Sequence, residues 1–201
     1  MDSTAQTSSP DLRPAADAVA RLVAGIPDDR LGDPTPCPEY AVRELLAHVV
    51  MLSTAFRDAA RKDLGPLTAS SPGDSRPVLG DDWRDVLPQR LDELAEAWTV
   101  PEAWEGDTQA GGVTFPAAIA GRVALNELVV HGWDLARATG QKYACDEASL
   151  RESYGMMKPA PGDEEARGDA FGPVVAVPAD APLLDRVIGL SGRRPDWRPG
   201  H

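Results

Sequence analysis

Clustered positive charge and long apolar runs are both missing from this chain. Its 20 lysines and arginines face 32 aspartates and glutamates, which gives a net charge of −12, and the basic residues form no stripe. Nucleic-acid phosphates require clustered lysine and arginine, so we expect no nucleic-acid partner. No charge-free apolar stretch reaches about eighteen residues, so we expect no membrane span.

Cysteine is scarce as well. Cys37 and Cys145 are far apart and match neither a zinc-ribbon nor a redox spacing, so both are interpreted as reduced thiols. Packing is the expected role of Cys37, although it comes shortly before a histidine-bearing helix and could approach a site there. The N-terminus lacks the basic segment and apolar core of a signal peptide. The chain is therefore expected to be soluble and cytoplasmic, as a monomer or a homodimer.

The apolar periodicity predicts a mainly all-α fold. Four long helices are expected at about 12–26, 40–62, 83–98 and 116–139, with shorter ones at 146–157 and 182–190. Proline, serine and glycine predict loops at 32–39 and 65–81, and a glycine pair predicts a hairpin or ordered loop between 101 and 116. Residues 171–177 look strand-like. We expect a disordered tail at 1–10, a metal-binding helical bundle at 11–158, and a loop-rich extension at 159–201 that packs on the bundle.

The fourth long helix carries an acid and an imidazole at helical spacing. Glu127 and His131 are four residues apart, so their side chains lie one turn above each other on the same face. A carboxylate and an imidazole placed in this way can hold one divalent metal. A third ligand must come from elsewhere. The chain has three histidines, and His201 is the last residue of the sequence, which leaves His48 on the second helix.

Simpler interpretations of these residues stay open. A glutamate and a histidine at this spacing also fit an exposed ion pair, or a core histidine bonded to a backbone carbonyl. His48 lies in an apolar run with Leu45, Val49 and Leu52. An imidazole without a partner is costly to bury there, which favours a shared role for the histidines.

Four segments together resemble a known family. They are Pro34-Thr-Pro-Cys-Pro-Glu-Tyr-Ala-Val-Arg-Glu-Leu-Leu-Ala-His48, Glu127-Leu-Val-Val-His-Gly-Trp-Asp-Leu-Ala-Arg-Ala-Thr-Gly140, Phe171-Gly-Pro, and Ala179-Asp-Ala-Pro-Leu-Leu-Asp-Arg-Val-Ile-Gly-Leu-Ser-Gly-Arg193. The chain resembles the actinobacterial metal-binding proteins related to mycothiol-dependent maleylpyruvate isomerase, which belong to the DinB-like superfamily of four-helix bundles. The resemblance implies one divalent metal, usually zinc, on His48, Glu127 and His131. Relatives commonly place serine or threonine at position 41, where this chain has Ala41.

The resemblance also implies a chemistry. Three protein ligands leave a coordination position open, as in catalytic zinc sites, and an open metal lowers the pKa of a bound water or thiol. Bound mycothiol would then act as a thiolate in the isomerisation of an electrophilic small molecule, or in transfer to it. The ligand set also suits nickel or ferrous iron. The alternatives are a hydrolase or lyase that uses metal-bound water, and a non-catalytic binding protein for sequestration or resistance.

Residues around the proposed ligands are assigned by position alone. Asp134 lies three residues beyond His131 and is a candidate to orient the imidazole, although an ion pair with Arg137 is slightly favoured. Substrate-binding candidates are two arginines for anionic groups and two tryptophans for a cleft: Arg43, Arg122, Trp104 and Trp133. A surface or core role is the simpler interpretation of each of these four.

Overall fold

The computed structural model describes residues 9–71, 77–158 and 172–199. Within these ranges the chain is mainly helical, as the sequence predicts. The helices are α1 (Arg13–Ala24), α2 (Val42–Arg61), α3 (Pro66–Ala69), α4 (Trp83–Ala97), α5 (Ala117–Thr139), α6 (Glu147–Met157) and α7 (Leu183–Leu190). Two strands, β1 (Asp107–Ala110) and β2 (Val113–Pro116), form one antiparallel hairpin, and short 3₁₀ turns cover Asp28–Arg30 and Pro101–Trp104.

The four long helices form the bundle. α1 and α2 each pack against both α4 and α5, so the two pairs enclose one core. Apolar residues at helical spacing explain this arrangement, as Leu87, Leu91 and Leu94 of α4 are all buried. Burying one such leucine side chain stabilises the fold by about 2 kcal/mol. α5 is buried over most of its surface, which fits its nearly continuous apolar sequence.

The hairpin directs the chain into α5. Gly111 and Gly112 have φ values of 60° and 76°, the left-handed backbone that a two-residue hairpin turn requires. β2 leads directly into α5, which ends at Gly140 with a φ of 71°. Of the hairpin and the ordered loop that the sequence left open, the structure has the hairpin. Both ends of α5 have a local cause in the sequence.

The start of α2 lacks a side-chain cap. Ala41 is the N-cap residue and has an extended backbone, while the loop carbonyls of Asp33 and Leu31 accept from the amides of Val42 and Arg43. We expect Ala41→Ser to raise the free energy of unfolding by about 0.5–1 kcal/mol, because its hydroxyl can accept from an amide of the first turn. Urea denaturation measures this change, and Ala41→Val, which adds no oxygen, serves as the control. A serine variant no more stable than the valine variant would contradict the prediction.

An ion-pair network joins α2 to α4. The Glu93 carboxylate accepts from Arg57 at 2.6 Å and from Arg90 at 2.8 Å. These bonds, led by that from Arg57, hold the pKa of Glu93 below its ordinary value. A carboxyl group with a lowered folded pKa stabilises the fold above its unfolded pKa of about 4.3, and this stability is lost as the pH falls through the folded value.

Glu93→Gln is therefore expected to lower the free energy of unfolding at pH 7 by about 1 kcal/mol, since the pair is partly exposed to solvent. In acid the difference from the wild-type protein should shrink, because the wild-type carboxyl group is then protonated too. Urea denaturation at neutral and acid pH measures both differences. Equal differences at the two pH values would contradict the assignment.

The segments after α5 pack on the bundle through α6 and α7. Asp146 accepts from the Ser149 amide at 2.9 Å and so caps α6, the helix expected at 146–157. α6 packs on α5, and α7 packs on α6. The strand expected at 171–177 is wrong for residues 172–177, which form no strand; the Val175 amide instead donates to the carbonyl of Gly189 at the end of α7.

Some sequence predictions fall outside the described residues. These are residues 1–8 of the expected tail, residues 72–76 of the expected loop, and residues 159–171 and 200–201 of the expected extension. Among the helices of the described ranges, none has the length and hydropathy needed to cross a bilayer.

Candidate metal centre

Two packed helices bring the predicted ligands together. His48 lies on α2, and Glu127 and His131 lie on α5. Glu127 Oε2 is 3.1 Å from His131 Nε2 and 3.6 Å from His48 Nε2. One ligand atom from each of the three residues lies within 4.8 Å of the other two. The structure thus places two imidazole nitrogens and one carboxylate oxygen around a single point.

The spacing of these atoms fits a zinc ion. Ligand atoms at 2.0–2.1 Å from a tetrahedral zinc are about 3.3 Å from each other. The two separations from Glu127, 3.1 and 3.6 Å, lie on either side of this value, and the two histidine nitrogens lie within 4.8 Å of each other. The donor set therefore fits one divalent cation in its chemistry, and the two separations from Glu127 fit a tetrahedral site.

His131 is fixed by carboxylates on both of its nitrogens. Nδ1 lies 3.0 Å from Asp134 Oδ2, and Nε2 faces Glu127. Burial opposes the charged imidazole, but the hydrogen bonds to Asp134 and Glu127 outweigh it and raise the pKa of His131 to about 9. Burial likewise works to raise the pKa of Glu127, yet the bonds from His131 and His48 lower it well below its ordinary range.

Asp134 connects the site to the C-terminal segment. Its side chain is fully buried, and Arg193 donates to both oxygens, from Nη2 at 3.1 Å and from Nε at 3.3 Å. The favoured ion pair between Asp134 and Arg137 is wrong. Arg137 instead donates to the backbone carbonyls of Pro195 and Trp197. A buried aspartate needs an opposite charge, and the segment after α7 supplies it.

Arg193 is the residue that sequence reasoning missed. It is separated from Asp134 by 59 positions, and no local spacing links the two. The one available signal was Asp134 itself, since an acid within an apolar helix requires a partner. That signal could not tell which of the many arginines would reach it.

His48 is held differently from His131. Its Nδ1 is buried and has no hydrogen-bond partner among the described residues. The imidazole stacks on the Tyr40 ring at a centroid distance of 5.2 Å and an interplanar angle of 25°. It also lies nearly perpendicular to the His131 imidazole, with ring centroids 5.1 Å apart.

The four substrate-binding candidates make other contacts. Arg43 is exposed in the first turn of α2, and Arg122 pairs with Glu152 of α6 at 3.4 Å. Trp104 donates to the Trp98 carbonyl at 2.8 Å and packs edge-to-face on that ring. Trp133 is buried, with the Arg137 guanidinium 5.6 Å from its ring centroid. Their roles toward a substrate stay predictions.

Neither cysteine is placed to act as a thiolate. Cys37 is buried, and burial raises its pKa in spite of the nearby Arg193 charge. Burial also raises the pKa of Cys145, to about 11. Burial therefore disfavours the thiolate form of both cysteines.

Comparison with known proteins identifies the family. Residues 12–136 match the model of the mycothiol maleylpyruvate isomerase N-terminal domain. The chain belongs to this family. The matched stretch contains all three candidate ligands and Asp134, whereas Arg193 lies beyond it.

Two solved structures share the fold of this chain at low sequence identity. The crystal structure of the mycothiol-dependent maleylpyruvate isomerase superposes with a TM-score of 0.63 at 18% identity, covering 92% of this chain and 88% of that one. A histidine-to-alanine mutant of that enzyme superposes with a TM-score of 0.65 at 17% identity, covering 90% and 86%. At these identities the likeness shows the fold alone.

Sequence relatives come from Mycobacterium tuberculosis. One, described as an uncharacterised protein in two strains, is 26% identical over 181 residues, which is 89% of this chain and 93% of the relative. A second uncharacterised protein is 31% identical over 151 residues, or 65% of this chain and 55% of that protein. Their names assign no activity.

Proposed function

We propose that this chain binds one divalent metal ion through His48, Glu127 and His131, and activates the low-molecular-weight thiol mycothiol for the isomerisation of an electrophilic small molecule. The observation that carries the proposal is the convergence of the three ligand atoms within 4.8 Å of one another. Membership in the mycothiol maleylpyruvate isomerase family supports the choice of thiol and reaction.

The donor set supports zinc as the metal. Two imidazoles and one carboxylate leave a fourth position for an exchangeable guest, as in catalytic rather than structural zinc sites. Nickel and ferrous iron accept the same ligands. When bound, such a metal lowers the pKa of a coordinated thiol, so that the thiolate is available near neutral pH.

The chain's own residues prepare the site for this chemistry. Glu127 contributes a negative charge that offsets part of the metal's charge. Asp134 accepts a hydrogen bond from the Nδ1–H of His131, which leaves the Nε2 lone pair directed toward the metal position. Arg193 holds that aspartate in place. The three side chains are themselves mostly shielded from water, with His48 15%, Glu127 26% and His131 9% exposed.

The reaction requires no net consumption of thiol. The thiolate sulfur adds to one carbon of a conjugated double bond, and the π electrons move to the carbonyl oxygen. Rotation about the new single bond follows, and the electrons then return as sulfur leaves. If the adduct is protonated and released instead, the same site acts as a thiol transferase.

Hydrolysis by metal-bound water is less well supported. It needs a general base near the metal, for which the sequence offers Asp134 or a loop carboxylate. Both oxygens of Asp134 are bonded to Arg193, and one also meets His131, so this carboxylate is not available to water. Non-catalytic binding predicts metal and thiol uptake without turnover.

The experiment combines composition with turnover. Elemental analysis of the purified protein should find one metal ion per chain. Calorimetric titration should show that mycothiol binds to the metal-loaded protein and does not bind to the metal-free protein. A cis maleyl compound such as maleylpyruvate should then isomerise only when thiol and metal are both present. Thiol-independent turnover would favour hydrolysis, and binding without turnover would favour sequestration.

A further inference from the structure

The two candidate imidazole ligands have unequal support. His131 has a carboxylate on Nδ1, which fixes the direction of Nε2. His48 Nδ1 is buried without a hydrogen-bond partner among residues 9–71, 77–158 and 172–199. Metal-bound imidazoles nearly always have a hydrogen-bond acceptor on the second nitrogen, and this partner sets the ring plane. Another contact must therefore orient His48.

Tyr40 makes that contact. Its ring stacks on the His48 imidazole with centroids 5.2 Å apart and planes within 25° of parallel. This distance lies within the range of favourable offset stacking. The imidazole of His131 lies nearly perpendicular to that of His48, with an interplanar angle of 86° and centroids 5.1 Å apart. Two rings therefore pack against His48, one of them stacked on its face.

The loop that carries Tyr40 is closed by its own hydrogen bonds. The Thr35 hydroxyl donates to the Tyr40 carbonyl at 2.7 Å and accepts from the Cys37 amide at 3.1 Å. Pro34 and Ala41 form an isolated antiparallel bridge across the base of the loop. Thr35 and Cys37 are buried, so these bonds are shielded from water. These hydrogen bonds hold the backbone of the loop that carries the Tyr40 ring.

We propose that Tyr40 is the positioning residue of His48: its stacked ring holds Nε2 toward Glu127, as the Asp134 hydrogen bond does for His131. The inference rests on the metal site proposed above. Stacking restricts the His48 imidazole to one orientation before the metal binds. Metal binding then loses less side-chain conformational entropy. A metal also withdraws electron density from the imidazole, and the negative face of the tyrosine ring then attracts it more strongly.

The test compares two substitutions of Tyr40 by zinc affinity, measured in competition with a chromophoric chelator. Tyr40→Leu removes the ring, and we expect the affinity to fall by about 10- to 100-fold, the usual effect of losing an outer support of a ligand. Tyr40→Phe keeps the ring and should bind zinc within about threefold of wild type, since stacking is retained. Tyr40→Met, a flexible residue that fills a similar space, replaces the leucine variant if that one does not fold.

Tyr154→Leu is the matched control. Tyr154 lies on α6, and its hydroxyl accepts from Arg186 at 2.7 Å. Tyr154→Leu also removes a tyrosine ring that packs between elements of the fold, but this ring does not stack on His48. The zinc affinity of this variant should therefore equal that of the wild-type protein. The absorption spectrum of the cobalt-substituted protein adds a readout of ligand geometry, and it should change in Tyr40→Leu but not in Tyr40→Phe or Tyr154→Leu.

The outcomes separate this inference from the proposed function. If the wild-type protein binds no zinc, the proposed function fails and the role of Tyr40 fails with it. If the wild-type protein binds zinc, and the Tyr40→Leu and Tyr40→Met variants bind it as tightly as wild type does, only the role of Tyr40 is overturned. A phenylalanine variant as weak as the leucine variant also overturns it, because the hydroxyl rather than the stacked ring would then be responsible.

Discussion

Replacing His48, Glu127 or His131 by alanine, one at a time, is expected to abolish high-affinity metal binding while helix content is retained. Each change removes one of three converging ligand atoms. Loss of a residue that only supports a ligand typically lowers metal affinity by about 10- to 100-fold. Loss of a ligand itself should therefore lower it by more than about 100-fold. The bundle should persist because its apolar core, not the metal, supplies most of its stability.

Equilibrium dialysis with elemental analysis measures the metal, and far-ultraviolet circular dichroism measures the helix content. Glu152→Gln is the control, since Glu152 pairs with Arg122 on the face of α5 toward α6. The control should bind metal as the wild-type protein does. If all three alanine variants keep stoichiometric metal, the ligand assignment is wrong.

Arg193→Leu is expected to have the largest effect on stability. It removes the guanidinium from the fully buried Asp134 carboxylate, which keeps only the His131 imidazole as a partner. Removing one partner of a buried ion pair costs up to about 3–5 kcal/mol, and the remaining bond from His131 offsets part of that loss. Urea denaturation of the metal-free variant measures this cost. Combining it with Asp134→Asn should recover part of the loss, since the buried carboxylate charge is then gone.

The neighbouring Arg194 provides the control for this prediction. It pairs with Asp196 at 2.9 Å, and both side chains are more than 70% exposed. Arg194→Leu should change the free energy of unfolding by no more than about 0.5 kcal/mol, as is usual for a surface substitution. Equal losses in the two leucine variants would show that the contact between Arg193 and Asp134 does not stabilise the fold.

The helices were predictable because their causes are local. Each long helix combines an apolar face at helical spacing with a proline, glycine or acidic residue near its ends, and predicted and observed ends agree within two residues. α3 was not predicted. It has four residues, Pro66–Ala69, inside a segment rich in proline, serine and glycine, and so short a helix leaves no periodic signal.

The strand expected at 171–177 shows the opposite failure. Valines at 174, 175 and 177 have high strand propensity, but a strand also needs a neighbouring strand to pair with. In the described residues 172–177 the backbone meets the end of α7 instead, through Val175 and Gly189. Strand propensity without a partner strand therefore led to a wrong prediction here.

The candidate site was predictable only in part. The spacing of Glu127 and His131 places both on one helix face, and the scarcity of histidine pointed to His48. The convergence of His48 on that face depends on how α2 and α5 pack, which no local pattern encodes. The contacts of Arg193 with Asp134 and of Tyr40 with His48 are likewise products of tertiary structure.

X-ray absorption spectroscopy of the zinc-loaded protein, with and without mycothiol, tests the central claim most directly. We predict nitrogen and oxygen ligands alone at about 2.0–2.1 Å in the protein without thiol, and one additional sulfur at about 2.3 Å once mycothiol is added. Sulfur ligation before thiol is added would place Cys37 or Cys145 on the metal. That result, or an unchanged spectrum with saturating mycothiol, would contradict the account.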